Sequence, residues 1–159
     1  MPIRNLDQPG DLGWMVQAHG EIYAAEYGWD RSFETLVAGI VARFAEDHDP
    51  DREAAWVAVD DDDRRVGCVM CVRVDDRTAQ LRVLLVDPSA RGTGVGGALV
   101  DTCVRFARTA GFAVLKLWTT DPLTAARGLY LSRGFLLVEE KPAHEFGVDL
   151  VTQVYELEL

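Results

Sequence analysis

The hydrophobic positions of the chain follow two periods, one typical of helices and one typical of strands. Near the amino terminus the helical period predicts two helices, over residues 12–27 and 33–47, with a polar break between them. From residue 54 onward apolar residues occur in short or alternating runs, which predicts strands over 54–59, 66–74 and 78–86. The turns between these strands are short and polar, so they predict an antiparallel meander.

After residue 86 the helical period returns. A helix with one buried face is predicted by apolar residues three and four positions apart, namely Val95, Leu99, Cys103, Phe106 and Ala110. Gly111 ends this helix, and an apolar run over 113–118 predicts a further strand. Asp121 and Pro122 predict the cap and first turn of a short helix that ends at Gly134. Two last strands complete the sheet, over 135–139 and 152–159.

Length and composition indicate one globular domain, which we expect to span residues 1–159. Hydrophobic residues make up 48% and charged residues 26%, close to the average of soluble proteins, which strongly disfavours a disordered or fibrous chain. No apolar run is long enough to cross a bilayer, and the amino terminus lacks the pattern of a secretion signal. We therefore expect a cytoplasmic protein without a membrane partner.

The charge balance is acidic, with 16 Lys and Arg against 26 Asp and Glu and a formal charge of -10. Long-range repulsion then works against binding to nucleic acids or anionic membranes, and a cationic partner is easier to accommodate. Cys68 and Cys71 have the spacing of a metal or redox pair, but residues three apart on a strand point to opposite faces. We expect packing cysteines in a reducing compartment and no metal site.

Two titratable residues, His19 and Glu26, lie on the apolar side of the first predicted helix. The apolar residues of that side are Leu12, Met15, Ile22 and Tyr23. His19 is then either a hydrogen-bonded core residue, with Gly20 bending the helix, or part of a ligand pocket. Both interpretations stay open on the sequence.

The segment most informative about chemistry runs from Val86 to Gly97 and joins a strand end, a glycine-rich turn and a helix start. Backbone N–H groups and the dipole at a helix start bind phosphate, and glycines let its oxygens approach. The segment predicts a phosphate or pyrophosphate site; the alternative is a turn whose small residues serve only tight packing. A P-loop is excluded because neither Gly-Lys-Ser nor Gly-Lys-Thr follows.

Gly92, Gly94 and Gly97 also satisfy the dinucleotide pattern G-x-G-x-x-G, with Asp121 near the place of a ribose-binding acid. Two observations argue against a nicotinamide or flavin cofactor. The turn begins several residues after the strand, and the preceding strands are joined by turns instead of crossover helices.

The run from Arg91 to Gly96 resembles the acyl-CoA signature of the Gcn5-related N-acetyltransferases, in which Arg or Gln precedes two residues, Gly, one residue, and Gly or Ala. The resemblance continues through 84–88 and 129–135, and the order of elements is similar along nearly the whole chain. It implies a single α/β domain with a central mixed, mostly antiparallel sheet of about six to seven strands. The sheet is expected to splay at the cofactor site and to be flanked by about four helices.

Within the family, four segments resemble acetyltransferase halves that elsewhere follow a MarR-type DNA-binding domain, namely 19–23, 33–37, 117–120 and 144–150. The sequence carries no winged-helix segment, so we do not expect DNA binding.

The resemblance implies acetyl-CoA as the cofactor. Amides of 91–96 then hold the pyrophosphate, the pantetheine follows 84–86, and the N–H of Leu84 or Leu85 polarises the thioester carbonyl. Thr120 stands where many relatives have Asn, and Arg127 either pairs with a phosphate or lies on a solvated helix face. The full predicted set is Leu84, Leu85, Val86, Arg91, Gly92, Thr93, Gly94, Val95, Gly96, Gly97, Thr120, Arg127 and Tyr130.

An amine attacks only when it is neutral, so a base must accept its proton. Many family members carry a Glu on the fourth strand for this, but here Gln80 and Arg82 occupy that face. Glu26 and His19 are therefore the leading candidate bases, followed by His144.

Tyr130 stands at the family's usual position for the group that donates to the leaving thiolate; the alternative is a packing aromatic. An acceptor pocket is predicted from Tyr23, Tyr27, Trp29, Phe33 and His144, with helix-to-sheet packing as the alternative for the aromatic residues.

The predicted function is transfer of the acetyl group of acetyl-CoA to a primary amine by direct attack, on a small molecule in preference to a protein. A homodimer is left open. The alternative function is an acyl-CoA-binding sensor or regulatory module with weak catalysis.

Overall fold

A computed structural model describes residues 1–159 and contains seven strands and four α-helices around one sheet. The strands are β1 (Ile3–Asn5), β2 (Ala54–Val59), β3 (Arg65–Arg73), β4 (Thr78–Val86), β5 (Val114–Thr120), β6 (Leu136–Glu145) and β7 (Val148–Glu158). The helices are α1 (Asp11–Tyr27), α2 (Arg31–Glu46), α3 (Val95–Thr109) and α4 (Thr124–Ser132), with a 3-10 turn at Pro88–Ala90.

The strand order is β1-β2-β3-β4-β5-β7-β6, and every neighbouring pair is antiparallel except β4 and β5. These two parallel strands pair only over Thr78–Gln80 and Val114–Lys116. Beyond that point β4 continues to Val86 without β5 as a neighbour, so the sheet opens. The predicted mixed, mostly antiparallel and splayed sheet is confirmed.

Each face of the sheet carries its own hydrophobic core. On one face α3 and α4 pack on the sheet through residues such as Leu99 and Leu115, and on the other α1 and α2 pack through Met15 and Val37. Cys71 lies in the first core and Cys68 in the second, as the alternation of side chains along a strand predicts. All three cysteines are free and buried.

A buried carboxylate fixes the start of α1 to the sheet. Asp11 accepts hydrogen bonds from Arg4 Nη1 at 2.8 Å, Arg65 Nε at 2.7 Å and the Gln8 amide at 2.9 Å. Burial opposes ionisation of Asp11, but these donors hold its pKa well below its usual range. The two arginines come from β1 and β3, so this cluster orients α1 across the sheet edge.

A bulge bends β4 at the point where the sheet opens. Opposite β3, Cys68 pairs with Leu85 and Met70 with Arg82, so two β4 residues face one β3 residue. Val83 has a φ of 50°, a left-handed conformation that a β-branched residue rarely adopts. The Cys68 thiol donates to the Val83 carbonyl at 3.2 Å and holds the bulge from the α1 side.

Several predicted boundaries are wrong. Asp121 does not cap α4, which begins at Thr124; its carboxylate instead accepts from the Val151 amide at 2.8 Å. Strands β6 and β7 are longer than predicted because Phe146 and Gly147, both with positive φ, form a tight two-residue turn between them. Leu12 was predicted on the apolar side of α1 but is 40% exposed. The short strand β1 carried no pattern that predicted it.

No helix in the structure combines the length and the apolar character that crossing a bilayer requires.

Candidate functional site

A groove of about 530 Å³ opens where β4 and β5 separate. Its walls come from the end of α1, the end of β4, the segment from Ala90 to Gly97 and the start of α4. We call it the loop groove. A single connected segment, from Leu84 to Gly97, supplies most of its lining.

The start of α3 presents free backbone donors to this groove. Gly94 is the N-cap residue and offers no side chain, and the first bond within the helix runs from the Ala98 amide to the Gly94 carbonyl. The N–H groups of Val95, Gly96 and Gly97 therefore have no partner within the helix. Gly92 and Gly94 have φ of 77° and 86°, which lets the loop curl and turn its amides together. Such an arrangement of open amides suits the binding of a phosphate.

The other two glycines of the loop have a packing role. A Cβ on Gly96 would lie 3.0 Å from Leu129 Cδ1, and one on Gly97 would collide with the Arg133 guanidinium. The sequence left two interpretations of the glycine-rich segment open, a phosphate site and a turn whose small residues serve tight packing. They apply to different glycines. Gly92 and Gly94 curl the loop and turn its amides together, and Gly96 and Gly97 let α3 lie against α4.

Arg91 at the mouth of the loop forms an ion pair with Glu26, from Nη2 to Oε1 at 2.6 Å. Both residues border the loop groove. The structure therefore places Glu26 in the loop groove, beside the glycine-rich loop.

A second cavity, of about 610 Å³, lies between α1, α2 and the opened part of the sheet and is also bordered by α4. We call it the aromatic cavity. Most of its 23 lining residues are hydrophobic, and they come from α1, α2, β4, β5, α4, the β6–β7 turn and β7. The two cavities share four bordering residues, Tyr23, Leu84, Leu123 and Ala126.

Aromatic rings from four separate segments, namely α1, the link to α2, α2 and the β6–β7 turn, close one side of the aromatic cavity. Phe33 stacks on Tyr23 at 4.8 Å between ring centroids and meets Trp29 at 4.8 Å. Phe146, on the β6–β7 turn, lies 4.7 Å from Trp29. The Asp30 amide donates to the Phe146 carbonyl at 3.0 Å, so the turn is fixed to the link between α1 and α2.

His19 is buried and borders the aromatic cavity. Its Nδ1 lies 2.7 Å from the Met15 carbonyl, which can only accept, so Nδ1 carries the proton. Nε2 is then an acceptor, and it has no partner in the chain. Burial lowers the pKa of His19 from 6.5 to about 4, and the Met15 bond opposes this only in part. His19 is therefore neutral at physiological pH.

Tyr130 is also buried and borders the aromatic cavity, one helical turn after Ala126 on the same face of α4. Burial raises the pKa of Tyr130 well above its usual value, and the neighbouring Cys103 adds to the effect. The phenol therefore stays protonated and can donate a hydrogen bond.

The model of one protein family, described as the Acetyltransferase (GNAT) family, matches residues 16–135. The chain belongs to the GNAT family. This match covers well over half of the chain and confirms the family predicted from residues 91–96.

Known acetyltransferases resemble the chain in sequence and in fold. Human N-acetyltransferase 8B is 41% identical over 85 residues, which cover 50% of this chain and 37% of that protein. A GNAT acetyltransferase from Staphylococcus aureus has a TM-score of 0.79 at 18% identity, with 99% and 98% of the two chains covered. A GNAT acetyltransferase from Elizabethkingia anophelis, solved with acetyl-CoA bound, has a TM-score of 0.61 at 17% identity, with 76% and 82% covered. At these identities the two structures show the fold alone.

The chain spans between 29% and 38% of the length of three curated relatives that it matches. The GNAT family uses acetyl-CoA as its acetyl donor, so the predicted cofactor is confirmed. The loop groove fits that molecule, because the open amides at the start of α3 and the Arg91 guanidinium suit a pyrophosphate.

Most of the cofactor residues predicted from the GNAT resemblance border the loop groove. They are Leu84, Leu85, Val86, Arg91, Gly92, Gly94, Val95, Gly96 and Gly97. Thr93 lies in the loop, but its hydroxyl bonds back to the Ala90 carbonyl. Thr120 is fully buried and Arg127 donates to the Asp121 carbonyl at 2.9 Å, and neither borders the groove. Tyr130 borders the aromatic cavity instead.

The predicted acceptor residues are only partly brought together. Tyr23, Trp29 and Phe33 line the aromatic cavity. Tyr27 borders the loop groove instead. His144 lies outside both cavities, exposed on β6, where its Nδ1 is 2.8 Å from Asp149 Oδ1.

Sequence reasoning missed Trp118, Lys116, Glu145 and Phe146, which all line the aromatic cavity, and it considered Arg82 only as a poor base. One signal was available for Lys116, because it is the one charged residue in the apolar run 113–118. No local pattern marked Phe146, since its place in the cavity depends on the docking of a distant turn.

Proposed function

We propose that this chain is an N-acetyltransferase that transfers the acetyl group of acetyl-CoA to a primary amine of a small molecule by direct attack. The observation that carries the proposal is the meeting of the two cavities at Tyr23, Leu84, Leu123 and Ala126. A donor extended from the phosphate site along β4 reaches an amine in the aromatic cavity at this junction.

The reaction joins the amine nitrogen to the thioester carbonyl carbon, breaks the carbon–sulfur bond and releases one proton from the nitrogen. A backbone N–H of Leu84 or Leu85 polarises the carbonyl oxygen beside the β4 bulge. Tyr130 donates a hydrogen bond to the departing sulfur, because burial keeps its phenol protonated. Acetyl-CoA supplies the activated acetyl group, and these residues supply the alignment.

Among the three candidate bases, His19 alone borders the aromatic cavity. Its Nε2 is a neutral, unpartnered acceptor at every pH well above 4. The amine attacks in its neutral form, which exchange with solvent supplies. Its nitrogen becomes strongly acidic as the bond to the carbonyl carbon forms, so a weak base suffices to accept the remaining proton. We propose this role for His19 and a role at the cofactor, described below, for Glu26.

A small acceptor is favoured over a protein by the shape of the aromatic cavity. Its volume of about 610 Å³ is typical of small-molecule sites, and the docked Phe146 turn closes it on one side.

A homodimer remains a prediction. The free, buried cysteines support the proposal of a cytoplasmic location. The finer resemblance to acetyltransferase halves of MarR-type fusions also remains part of this proposal.

The test mixes purified protein with acetyl-CoA and a panel of amines and follows the released CoA thiol with a colorimetric reagent. A reaction without acetyl-CoA corrects for protein thiols, which are buried. Amine-stimulated CoA release is the expected result. Tight CoA binding with no release for any amine would contradict the proposal and favour the sensor, in line with Gln80 and Arg82 at the place of the family carboxylate.

A further inference from the structure

We infer that the acceptor amine carries a compact anionic group, such as a carboxylate or a phosphonate, which Arg82 and Lys116 bind on the sheet face of the aromatic cavity. This inference rests on the proposed function and specifies its substrate class. Both side chains line the cavity and are half-buried.

The strand register places the two cations beside each other. Gln80 pairs with Val72 on β3 and with Lys116 on β5, and Arg82 follows two residues later on the same face. Spacings within a sheet put the Cβ atoms of Arg82 and Lys116 roughly 8 Å apart. Two long cationic side chains at this separation can converge on one oxyanion. Gln80 also lines the cavity and adds an amide donor between them.

The Arg82 guanidinium forms neither an ion pair nor a hydrogen bond within the chain, whereas the half-buried Arg52 and Arg127 each donate to a backbone carbonyl. Ion pairs to Asp or Glu are formed by Arg4, Arg65, Arg91 and Arg133. Arg82 and Lys116 form none. Burial lowers the pKa of Arg82, and the neighbouring Arg43 lowers it further. A half-buried guanidinium beside another cation is stabilised by an anion from solution.

The acids near the cavity do not replace that anion. Glu156 lies opposite Lys116 in the β5–β7 register but does not line the cavity. Glu145 lines the cavity beside the Phe146 turn and is exposed. Neither forms an ion pair with Arg82 or Lys116.

The local charge of the cavity is therefore opposite to the charge of the whole chain. A formal charge of -10 favours cationic partners at long range, and a polyamine satisfies that expectation. Inside the cavity a second ammonium group would meet Arg82 and Lys116, whereas a carboxylate would be held by them. Short-range contacts determine which bound molecule is aligned for attack, so we assign an acidic amine as the acceptor.

The experiment compares matched amines in the CoA-release assay. L-amino acids are compared with their primary amides, and 3-aminopropylphosphonate is compared with 3-aminopropanol. Spermidine represents an acceptor that carries extra positive charge in place of the anionic group. We expect kcat/KM for the acids to exceed that of the neutral partners by roughly tenfold or more. An amide group makes the neighbouring amine less basic, so amine ionisation favours the neutral partner and cannot produce this result.

Arg82→Gln should reduce the preference for acids at least fivefold, mainly through KM, and Arg82→Lys should restore part of it. Arg105→Gln is the matched control, because it removes the same charge from an exposed site on α3. Thermal melts confirm that the variants fold. Equal kcat/KM for acids and neutral partners, or an undiminished acid preference in Arg82→Gln, would overturn the inference.

A binding measurement separates this inference from the proposed function. Trp29 and Trp118 line the cavity, so their fluorescence reports binding of the same amines without acetyl-CoA. Acid binding that Arg82→Gln weakens, with no CoA release for any amine, supports the anion site and contradicts the proposed reaction. Turnover of neutral amines or spermidine without a preference for acids supports the reaction and contradicts the anion site.

Discussion

The loop groove and the aromatic cavity meet at one junction but are built in opposite ways. The loop groove takes its chemistry from backbone amides of one connected segment, shaped by Gly92 and Gly94. The aromatic cavity takes its chemistry from side chains that six or more separate elements bring together. A backbone site tolerates changes elsewhere in the fold, whereas a side-chain site depends on how every element packs.

The two regions also differ in their electrostatics. In the loop groove the cation Arg91 already has an internal partner, Glu26, at 2.6 Å. In the aromatic cavity Arg82 and Lys116 have no ion-pair partner, and His19 is buried and neutral. If both proposals hold, a phosphate replaces Glu26 at Arg91 in the groove, whereas an acidic amine gives Arg82 and Lys116 an ion-pair partner that the chain does not supply.

The largest expected effect concerns His19 and stability. Its pKa falls from 6.5 to about 4 on folding because the ring is buried, so the unfolded chain binds more protons between these values. The neutral, buried His19 therefore contributes about 3 kcal/mol to the free energy of unfolding. This contribution is complete above pH 6.5 and is lost as the pH falls to about 4. Denaturant unfolding at pH 7, 6, 5 and 4 measures it.

The variant His19→Gln should flatten the part of this pH dependence that the buried ring causes. His48→Gln is the control, because His48 makes a similar bond to the Phe44 carbonyl at an exposed position. If His19→Gln and the native chain lose stability in parallel from pH 6.5 to 4, the interior of the aromatic cavity is wetter than the structure indicates.

Tyr130→Phe tests the proposed donor at the junction. We expect kcat to fall about 100-fold while the Kd of CoA changes little, because the hydroxyl acts on the leaving sulfur in the transition state. The control is Tyr155→Phe, which removes a buried hydroxyl next to Tyr130 that bonds to Gln153 and borders neither cavity. A native kcat in Tyr130→Phe would leave this residue as a packing aromatic only.

The contrast between the two regions explains what the sequence could predict. The strand, glycine turn and helix of 86–97 form a local pattern, so the loop groove was predictable nearly residue by residue. The meander and the splayed sheet followed from alternation and turn spacing, and the opposite placement of Cys68 and Cys71 from strand geometry alone.

The aromatic cavity was less predictable because its members are distant in sequence. The helical projection put Glu26 on the same side as His19, but a projection does not show how far along the helix each residue meets the sheet. The two residues are seven positions apart, which is about 10 Å along the helix axis, so they face different cavities. Phe146 enters through a turn whose docking onto α2 no local pattern encodes.

Gly94→Val tests whether the loop groove depends on backbone shape. Gly94 has a φ of 86°, which a β-branched residue adopts only at a cost of about 2 kcal/mol, so the KM for acetyl-CoA should rise roughly 30-fold. Gly13→Ala is the control, because Gly13 is exposed at the start of α1 with open space around it. An unchanged KM in Gly94→Val would mean that the phosphate lies elsewhere.

The smallest expected effect concerns Glu26, and it separates two roles for this residue. In the structure Glu26 forms an ion pair with the Arg91 guanidinium, which a bound pyrophosphate would also contact. Glu26→Gln should remove this competing anion and tighten CoA binding about threefold. Calorimetry at low salt measures the change, since screening weakens exposed charge pairs. Glu21→Gln, on the exposed side of the same helix, is the control.

If Glu26 were instead the general base, Glu26→Gln would lower kcat by 100-fold or more and leave CoA affinity unaltered. The two roles therefore predict changes in different parameters, and a single variant distinguishes them. Because Glu26 and Arg91 form their ion pair at 2.6 Å inside the loop groove, we expect the change in affinity. That result would assign the carboxylate of α1 to cofactor exchange and leave acceptance of the amine proton to the aromatic cavity.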